Sequence, residues 1–181
     1  KVICPSNAYD AKGLLIQSIR DNDPVIFCEH KNLYASMADV PAEAYTIPFG
    51  EAAIPREGKS ATIVAYGLMV HRALEAAETL AKEKIDVEVV DLRSLSPIDM
   101  DTVIESVEKT GRLVAVDEAN PRCSIAADVI ASTTEHAFKA LKAAPIAITA
   151  PHTPVPFSAA LEDLYIPSAA RIADAVRKQV K

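Results

Sequence analysis

Two periods of hydrophobic and polar residues follow one another in residues 60–99 and predict a strand–helix–strand unit. Residues 61–66 form a short apolar run that ends at Gly67, as expected for a strand buried on both faces. Residues 68–84 then change to a helical period, and residues 87–92 return to an apolar run. A strand, a crossover of this length and a second strand predict parallel, right-handed pairing. The predicted inner face of the helix consists of Met69, Ala73, Ala76, Ala77, Leu80 and Ala81.

The same alternation of strand and helix patterns extends over most of the chain. It predicts an α/β fold, with a mostly parallel sheet flanked by helices. Residues 51–56 are predicted as an edge strand, because Pro55 cannot donate a ladder hydrogen bond. Further strands are predicted at 2–4, 25–28, 112–116 and 146–149, and further helices at 100–109, 124–141 and 169–180. Residues expected to face inward from the helix at 124–141 include Ile125, Val129, Ile130 and Phe138.

The first 28 residues predict a smaller unit of strand, helix and strand. Ser6 is the expected N-cap of this helix, and the turn before Pro24 is its expected end. Its predicted apolar face consists of Ala11, Leu14, Leu15 and Ile19. Two parallel strands do not form a stable sheet alone, so we expect their partner strands to lie outside this chain. Residues 29–50 are predicted as a linker, and residues 94–99 as a loop.

Composition restricts the classes of protein to which the chain can belong. Its 181 residues suffice for one large or two small domains, and the formal net charge of −6 argues against a general nucleic-acid surface. No apolar run approaches the ~20 residues of a membrane span. Cys4, Cys28 and Cys123 form no CxxC spacing and are typical of reduced thiols in a cytoplasmic protein. Because the chain starts at Lys1 and enters a strand at once, we expect a fragment of a longer protein.

Catalytic motifs are scarce. With five glycines, the chain has neither a P-loop nor a GxGxxG pattern, and its four histidines have no zinc-binding spacing. Cys123, with Arg122 and Asp117 nearby, has a neighbouring cation that would lower a thiol pKa, but no base is identifiable beside it. His71 is interpreted as a packing or interface residue. His152 lies between prolines and lines either a cleft or a surface loop.

An acidic turn at the end of the first helix is the strongest candidate for a cation site. The carbonyl oxygens of a helix C-terminus carry partial negative charge. Those of Ser18 and Ile19, together with the carboxylates of Asp21 and Asp23, would offer hard oxygen ligands. The alternative interpretation is a solvated helix end without a ligand.

Several segments resemble the C-terminal part of the beta subunits of thiamine-diphosphate-dependent 2-oxo acid dehydrogenases. These segments are YDAKGLLIQSIRDNDPVIF, YGLMVHRALEAAETL, VEVVDLRSLSPID and PHTPVPF. The family includes the pyruvate, branched-chain and acetoin enzymes. Within it, VDEANPRCSIA and TAPHTPVPFS are most similar to the acetoin enzymes. A transketolase or deoxyxylulose-phosphate synthase C-terminal domain, which shares the fold, is a further alternative.

The resemblance implies a division of the chain into two parts. Residues 1–43 would be the end of a pyrimidine-binding domain, and residues 44–181 a transketolase C-terminal domain. It also implies a potassium ion at the turn formed by Ser18, Ile19, Asp21 and Asp23. Ser18 stands where the family commonly has alanine, and Asp23 where it commonly has asparagine. The glutamate that activates thiamine diphosphate lies outside the sequence, so no catalytic or cofactor-binding residue is expected here.

For an intact enzyme, the resemblance implies carbon–carbon cleavage and transfer of the acyl unit to a lipoyl acyltransferase core. The implied assembly is an α2β2 tetramer of an alpha subunit and a second beta subunit, without nucleic acid or membrane. The share of this chain would be structural, with the strand ends at Gly67 and Arg93 meeting a partner subunit and the C-terminal helix docking the acyltransferase. A free-standing, non-catalytic interaction module of the same fold is the alternative of a different class.

Overall fold

The computed structural model describes all 181 residues as an α/β fold with two sheets. Its strands are β1 (Val2–Ile3), β2 (Ile26–Phe27), β3 (Ala53–Arg56), β4 (Ala61–Ala65), β5 (Val87–Asp91), β6 (Ser94–Ser96), β7 (Leu113–Val116) and β8 (Ile146–Ile148). Every residue of β4, β5 and β7 is buried. For β4, this confirms the prediction that the strand is covered on both faces.

Six α-helices and two short 3₁₀ turns complete the fold. The helices are α1 (Ala8–Arg20), α2 (Leu68–Ala81), α3 (Met100–Thr110), α4 (Ile125–Ala137), α5 (Ala159–Tyr165) and α6 (Ala169–Val180), and the 3₁₀ turns are Lys31–Leu33 and Phe138–Ala140. Ser168 caps α6, since its side chain accepts a hydrogen bond from the amide of Arg171.

The larger sheet has the strand order β3-β5-β4-β7-β8. Strand β4 pairs in parallel with β5 on one side and β7 on the other, and β8 extends the parallel set. Strand β3 pairs antiparallel with β5 at one edge, where Pro55 is tolerated because that side needs no ladder donor. The predicted parallel unit and the predicted edge strand are therefore both confirmed.

Helices cover both faces of the larger sheet and create two cores. On one face, α2 and α6 bury side chains such as Leu80 and Ile172, with α2 lying on β4 and β5 and α6 on β4, β7 and β8. On the other face, α3 and α4 bury side chains such as Val107 and Val129. Near the start of β5, the fully buried Glu88 accepts hydrogen bonds from Ser106 and the amide of Gly58 and pairs with Lys109. A carboxylate within a buried strand is tolerated here because it is fully hydrogen bonded.

The smaller sheet has the order β2-β1-β6 and corrects two predictions. Residues 94–99 were expected to be a loop, yet Ser94–Ser96 forms β6 and pairs antiparallel with β1. At least one partner of the β1–β2 pair therefore lies within the chain. The triplet Ser-Leu-Ser is too short to show a strand period. It becomes a strand because Arg93, with φ +56°, turns the chain sharply after β5 and places it beside β1.

Helix α1 differs from its predicted form in its cap and in its apolar face. Asn7, not Ser6, is the N-cap, because its side chain accepts the amide of Asp10 at 2.9 Å. Ser6 instead uses its hydroxyl in a tertiary contact. Of the predicted apolar face, Leu14 is fully buried, whereas Leu15 and Ile19 are 42% and 75% exposed. Helix α1 is therefore buried only along a narrow face that includes Gly13 and Leu14.

In the C-terminal third of the chain, one prediction was wrong and one helix was not predicted. Helix α4 ends at Ala137, and Phe138, expected to face inward, is 69% exposed in the following 3₁₀ turn. Residues 159–165, for which no helix was predicted, form α5. None of the α5 residues is buried, so the amphipathic pattern that reveals a packed helix is missing. None of the helices has the length and apolar character required to cross a lipid bilayer.

Candidate functional site

The carboxyl ends of the parallel strands meet the N-terminal segment in a buried polar cluster. We call this cluster the junction and define it as Ser6, Asp10, Asp91 and Arg93. Ser6 lies just before α1 and Asp10 lies in its first turn. Asp91 ends β5, and Arg93 follows that strand. Ligand sites of open α/β sheets are found at this edge, so the residues of the junction determine whether a ligand can bind there.

Asp91 joins the two parts of the chain through its carboxylate. Its Oδ2 accepts a hydrogen bond from Ser6 Oγ at 2.5 Å, and its Oδ1 accepts the amide of Arg93 at 3.0 Å. Burial raises the pKa of the Asp91 carboxyl to about 6, and the two hydrogen bonds only partly offset this effect. The side chain is 1% exposed, so the carboxyl lies within the fold and cannot reach a substrate in solution.

Asp10 and Arg93 form the second link across the junction. The guanidinium donates to both carboxylate oxygens, from Nε at 3.0 Å and from Nη2 at 2.7 Å. Asn7 adds a third donor to Oδ2 at 2.7 Å. Asp10 is 1% exposed, and a planar fork of this kind is the geometry by which arginine holds a carboxylate most firmly. The junction therefore has its donors and acceptors matched internally.

Other polar contacts surround the junction on the same edge. His71 Nε2 lies 2.7 Å from the Ser6 carbonyl oxygen, in agreement with its interpretation as a packing or interface residue. The Tyr66 hydroxyl donates a hydrogen bond to Asp117 at 2.6 Å. Burial raises the pKa of this hydroxyl, and the hydrogen bond to the Asp117 carboxylate raises it further. His30 Nε2 lies 2.9 Å from Glu118 Oε2, which adds a further contact between the N-terminal segment and the larger sheet.

The predicted acidic turn holds a cation that belongs to the chain itself. The Lys1 ammonium lies 2.7 Å from Asp21 and 3.2 Å from Asp23. The Asp21 contact raises the pKa of Lys1, and Lys1 in turn lowers the pKa of Asp21. Ser18 Oγ donates to the Leu14 carbonyl oxygen at 2.7 Å, so only the backbone carbonyl oxygen of Ser18 would be a cation ligand.

The structure thus brings Asp21 and Asp23 together, next to the last turn of α1 that carries Ser18 and Ile19. Nowhere in the chain do three His, Cys, Asp or Glu side chains cluster closely enough to hold a metal ion. A site built mainly from backbone carbonyl oxygens needs no such cluster. The predicted potassium ligands therefore remain a proposal.

The remaining sequence candidates do not form a catalytic group. Cys123 is exposed with φ +54°, whereas Asp117 is fully buried and accepts hydrogen bonds from Tyr66, Ala119 and Ala126. Asp117 is therefore not available as a base for the thiol. His152 lies exposed in the loop before α5, which favours the interpretation as a surface loop.

Sequence reasoning missed Asp91 and Arg93 as the centre of the junction. A signal was present: the predicted strand at 87–92 places two acidic residues, Glu88 and Asp91, within a run of valines. A carboxylate in a doubly buried strand needs buried partners. The sequence alone does not reveal that Ser6, more than 80 positions away, is a partner of Asp91, or that Asp10 pairs with Arg93 beside it.

Comparisons with known proteins agree with the fold. The family model described as "Transketolase, C-terminal domain" matches residues 50–172. A solved structure titled "Split gene transketolase, inactive beta4 tetramer" superposes with a TM-score of 0.80 at 28% identity and covers 99% of this chain and 56% of that one.

Three curated relatives show greater identity. The "Acetoin:2,6-dichlorophenolindophenol oxidoreductase subunit beta" of Cupriavidus necator is 70% identical over 181 residues, all of this chain and 54% of that protein. Its Bacillus subtilis counterpart is 54% identical over 172 residues, 95% of this chain and 50% of that protein. The "Pyruvate dehydrogenase E1 component subunit beta" of Bacillus subtilis is 50% identical over 179 residues, 98% of this chain and 55% of that protein. The chain spans about half the length of the curated relatives it matches.

Proposed function

The chain belongs to the transketolase C-terminal domain family, and from this premise we propose that it is part of the beta subunit of a thiamine-diphosphate-dependent acetoin dehydrogenase. The observation that carries the proposal is its 70% identity, over all 181 residues, to the acetoin:2,6-dichlorophenolindophenol oxidoreductase beta subunit. The pyruvate dehydrogenase relative is 50% identical over 179 residues. A pyruvate or branched-chain 2-oxo acid dehydrogenase is therefore the second candidate.

The part assigned to this chain is positioning and assembly. Residues 1–43 correspond in this proposal to the end of a pyrimidine-binding domain, and residues 44–181 to the transketolase C-terminal domain. The junction supports such a role, because Ser6 is fixed to Asp91 by one short hydrogen bond and Asp10 to Arg93 by two. A substrate site would instead leave some of these groups free to contact a ligand.

The residues of this chain do not fit thiamine diphosphate. When bound, the cofactor supplies the electron sink for cleaving a carbon–carbon bond beside a carbonyl group. The chain has no glycine-rich loop for the diphosphate, and its buried carboxylates Asp10 and Asp91 are already held by Arg93 and Ser6. No residue of this chain is therefore assigned to a chemical step. We expect added thiamine diphosphate to leave its melting temperature unchanged, and saturable stabilisation would refute this assignment.

The substrate is tested with the assembled enzyme that contains this chain. We expect acetoin to support reduction of 2,6-dichlorophenolindophenol with a kcat/KM at least tenfold above that of pyruvate, which corresponds to about 1.4 kcal/mol of transition-state discrimination. Branched-chain 2-oxo acids are measured in parallel. A preference for pyruvate or for a branched-chain acid would replace the acetoin assignment while leaving the family unchanged.

Potassium is proposed as a structural ion of the acidic turn. Its ligands would be the carbonyl oxygens of Ser18 and Ile19 and the carboxylates of Asp21 and Asp23. The ion has to displace the Lys1 ammonium, which already contacts both carboxylates. We expect the melting temperature to be higher in potassium than in a large organic cation at equal ionic strength. The difference should grow in Lys1→Ala and disappear in Asp21→Asn; equal midpoints throughout would remove the site.

Partner subunits complete the proposal. We place the chain in the cytoplasm, in an α2β2 assembly with an alpha subunit and a second beta subunit, and we assign docking of the lipoyl acyltransferase to the region of α6. Exposed apolar side chains support a role in assembly: Val155, Phe157, Leu161 and Leu164 are all more than half exposed. Light scattering of the co-purified subunits tests the stoichiometry, and a chain that remains monomeric with its alpha subunit present would contradict it.

A further inference from the structure

Two cysteines occupy opposed positions at the ends of β1 and β2. These strands are parallel neighbours, and their register pairs Ile3 with Phe27. The amide of Cys28 donates to the Ile3 carbonyl oxygen at 2.8 Å, so the ladder continues past the last assigned pair. The next residue in each strand is Cys4 and Cys28. Pro5 has no N–H to form the following ladder bond, which explains why the pairing stops at this position.

The register places both thiols on the same face of the sheet. Neighbouring strands lie about 4.8 Å apart, and side chains at opposed positions of parallel strands point to the same side. This spacing falls within the Cα separation of about 4.4–6.8 Å that a disulfide requires. Both cysteines are free thiols in the structure. Oxidation would therefore need only a small adjustment at the ends of two short strands.

The two thiols differ in their access to solvent. Cys28 is exposed, whereas Cys4 is 8% exposed. Burial raises the pKa of the Cys4 thiol to about 12, and the proximity of Cys28 adds to this effect. Cys4 therefore remains protonated and shielded, and a dissolved oxidant meets Cys28 first.

We propose that Cys4 and Cys28 form a redox-sensitive dithiol, in which a peroxide oxidises Cys28 and Cys4 converts the product into a cross-strand disulfide. In the first step the Cys28 thiolate attacks one oxygen of hydrogen peroxide, the O–O bond breaks, and sulfenic acid and hydroxide form. In the second step the Cys4 sulfur displaces the sulfenic hydroxyl, which leaves with the Cys4 proton as water. Overall, two thiols lose two electrons to one peroxide, and a dithiol reductant reverses the change.

The position of the pair links oxidation to the junction. The amide of Cys4 donates to the Arg93 carbonyl oxygen at 2.8 Å. The Cys4 sulfur lies 3.3 Å from the point where a side chain at Gly67 would begin. A disulfide would close the chain around α1, which carries Asp10, and would fix β2 to β1. This property is independent of the substrate of the enzyme.

The test uses the full chain with Cys123→Ser, which removes the third thiol and its alternative pairings. After treatment with hydrogen peroxide, we expect the intact mass to fall by about 2 Da, and dithiothreitol to restore it. Peptide mapping without reduction should then yield a linked pair that contains Cys4 and Cys28. The yield should not depend on protein concentration, because the reaction is intramolecular.

Two matched variants in the same background assign the roles. Cys28→Ser should show no 2 Da loss, and Cys4→Ala should stop at a sulfenic acid on Cys28 that a dimedone probe labels. If peroxide oxidises Cys28 in the Cys123→Ser chain and no disulfide-linked pair of Cys4 and Cys28 peptides forms, the proposal is overturned. A disulfide found only in dimers would overturn it as well. These two readouts come from a chain with Cys4 and Cys28 intact, so misfolding of a variant cannot mask them.

Discussion

The two sheets of this chain are stabilised in different ways. The larger sheet separates two apolar clusters of 17 and 9 buried residues, which pack against helices on both faces. The smaller sheet rests on a cluster of three, Ile3, Leu14 and Ile47. Burial of apolar area is the dominant favourable contribution to folding, so most of this contribution comes from the larger sheet. The smaller one depends on its attachment to the larger.

That attachment is made by strand β6 and by polar contacts of the junction. Strand β6 belongs in sequence to the larger part of the chain, yet it pairs with β1. Ser6 is held by Asp91, the last residue of β5, and Asp10 by Arg93, the residue before β6. The comparison shows that the N-terminal segment takes its position from directional bonds more than from apolar packing. Substitutions of each kind should therefore have different consequences in the two regions.

The largest effect is expected from removing one core side chain in each region. Leu80→Ala, in the larger cluster, should lower the free energy of unfolding of the whole chain by about 3 kcal/mol. Leu14 is equally buried, but Leu14→Ala should chiefly increase amide exchange in residues 1–28, because that region opens before the rest. Hydrogen exchange measured by mass spectrometry distinguishes the two outcomes. Equal loss of protection across both sheets in Leu14→Ala would show that they unfold as one unit.

A smaller effect is expected from breaking the Asp10–Arg93 pair. Asp10→Ala leaves a guanidinium that is 19% exposed without its carboxylate, so we expect a loss of about 2 kcal/mol, concentrated in the N-terminal segment. The matched control is Asp174→Ala, which removes a partner of Arg177 on the surface. Exposed pairs are screened by water, and we expect no measurable change in that variant. Similar losses in both variants would contradict the special role of the junction.

The same contrast explains how much of the molecule could be predicted from its sequence. The larger sheet was predicted strand by strand, because buried parallel strands and amphipathic helices leave regular apolar periods, as in residues 61–66 and 68–84. Strand β6 was missed because Ser94–Ser96 is only three residues long and contains no apolar run that would mark a strand. The acidic residues of the turn at Asp21 were found from local spacing, but their contact with Lys1 is tertiary. The junction was missed for the same reason.

The smallest effect, and the most specific to the junction, is expected from the charge of Asp91. Its pKa of about 6 in the folded chain lies above the ordinary value of about 3.9 for an unfolded aspartate. The folded state therefore binds this proton more tightly than the unfolded state. The contribution of Asp91 to stability is fully present below about pH 4 and is lost as the pH rises to about 6.

Asp91→Asn removes that titration while keeping an acceptor for the amide of Arg93. The difference in unfolding free energy between the variant and the parent chain, measured with urea, should therefore change by about 1–2 kcal/mol between pH 4 and pH 7, in favour of the variant at the higher pH. Because both chains contain the other carboxylates, their contributions to the pH dependence cancel in this difference. Asp21 is one of them, and its lowered pKa changes stability with pH in the opposite direction. Ser6→Ala should make the unfolding free energy depend more strongly on pH. The hydrogen bond from Ser6 lowers the pKa of Asp91, so its loss should allow burial to raise this pKa further. A difference that stays constant across this range would mean that the Asp91 proton is not linked to folding.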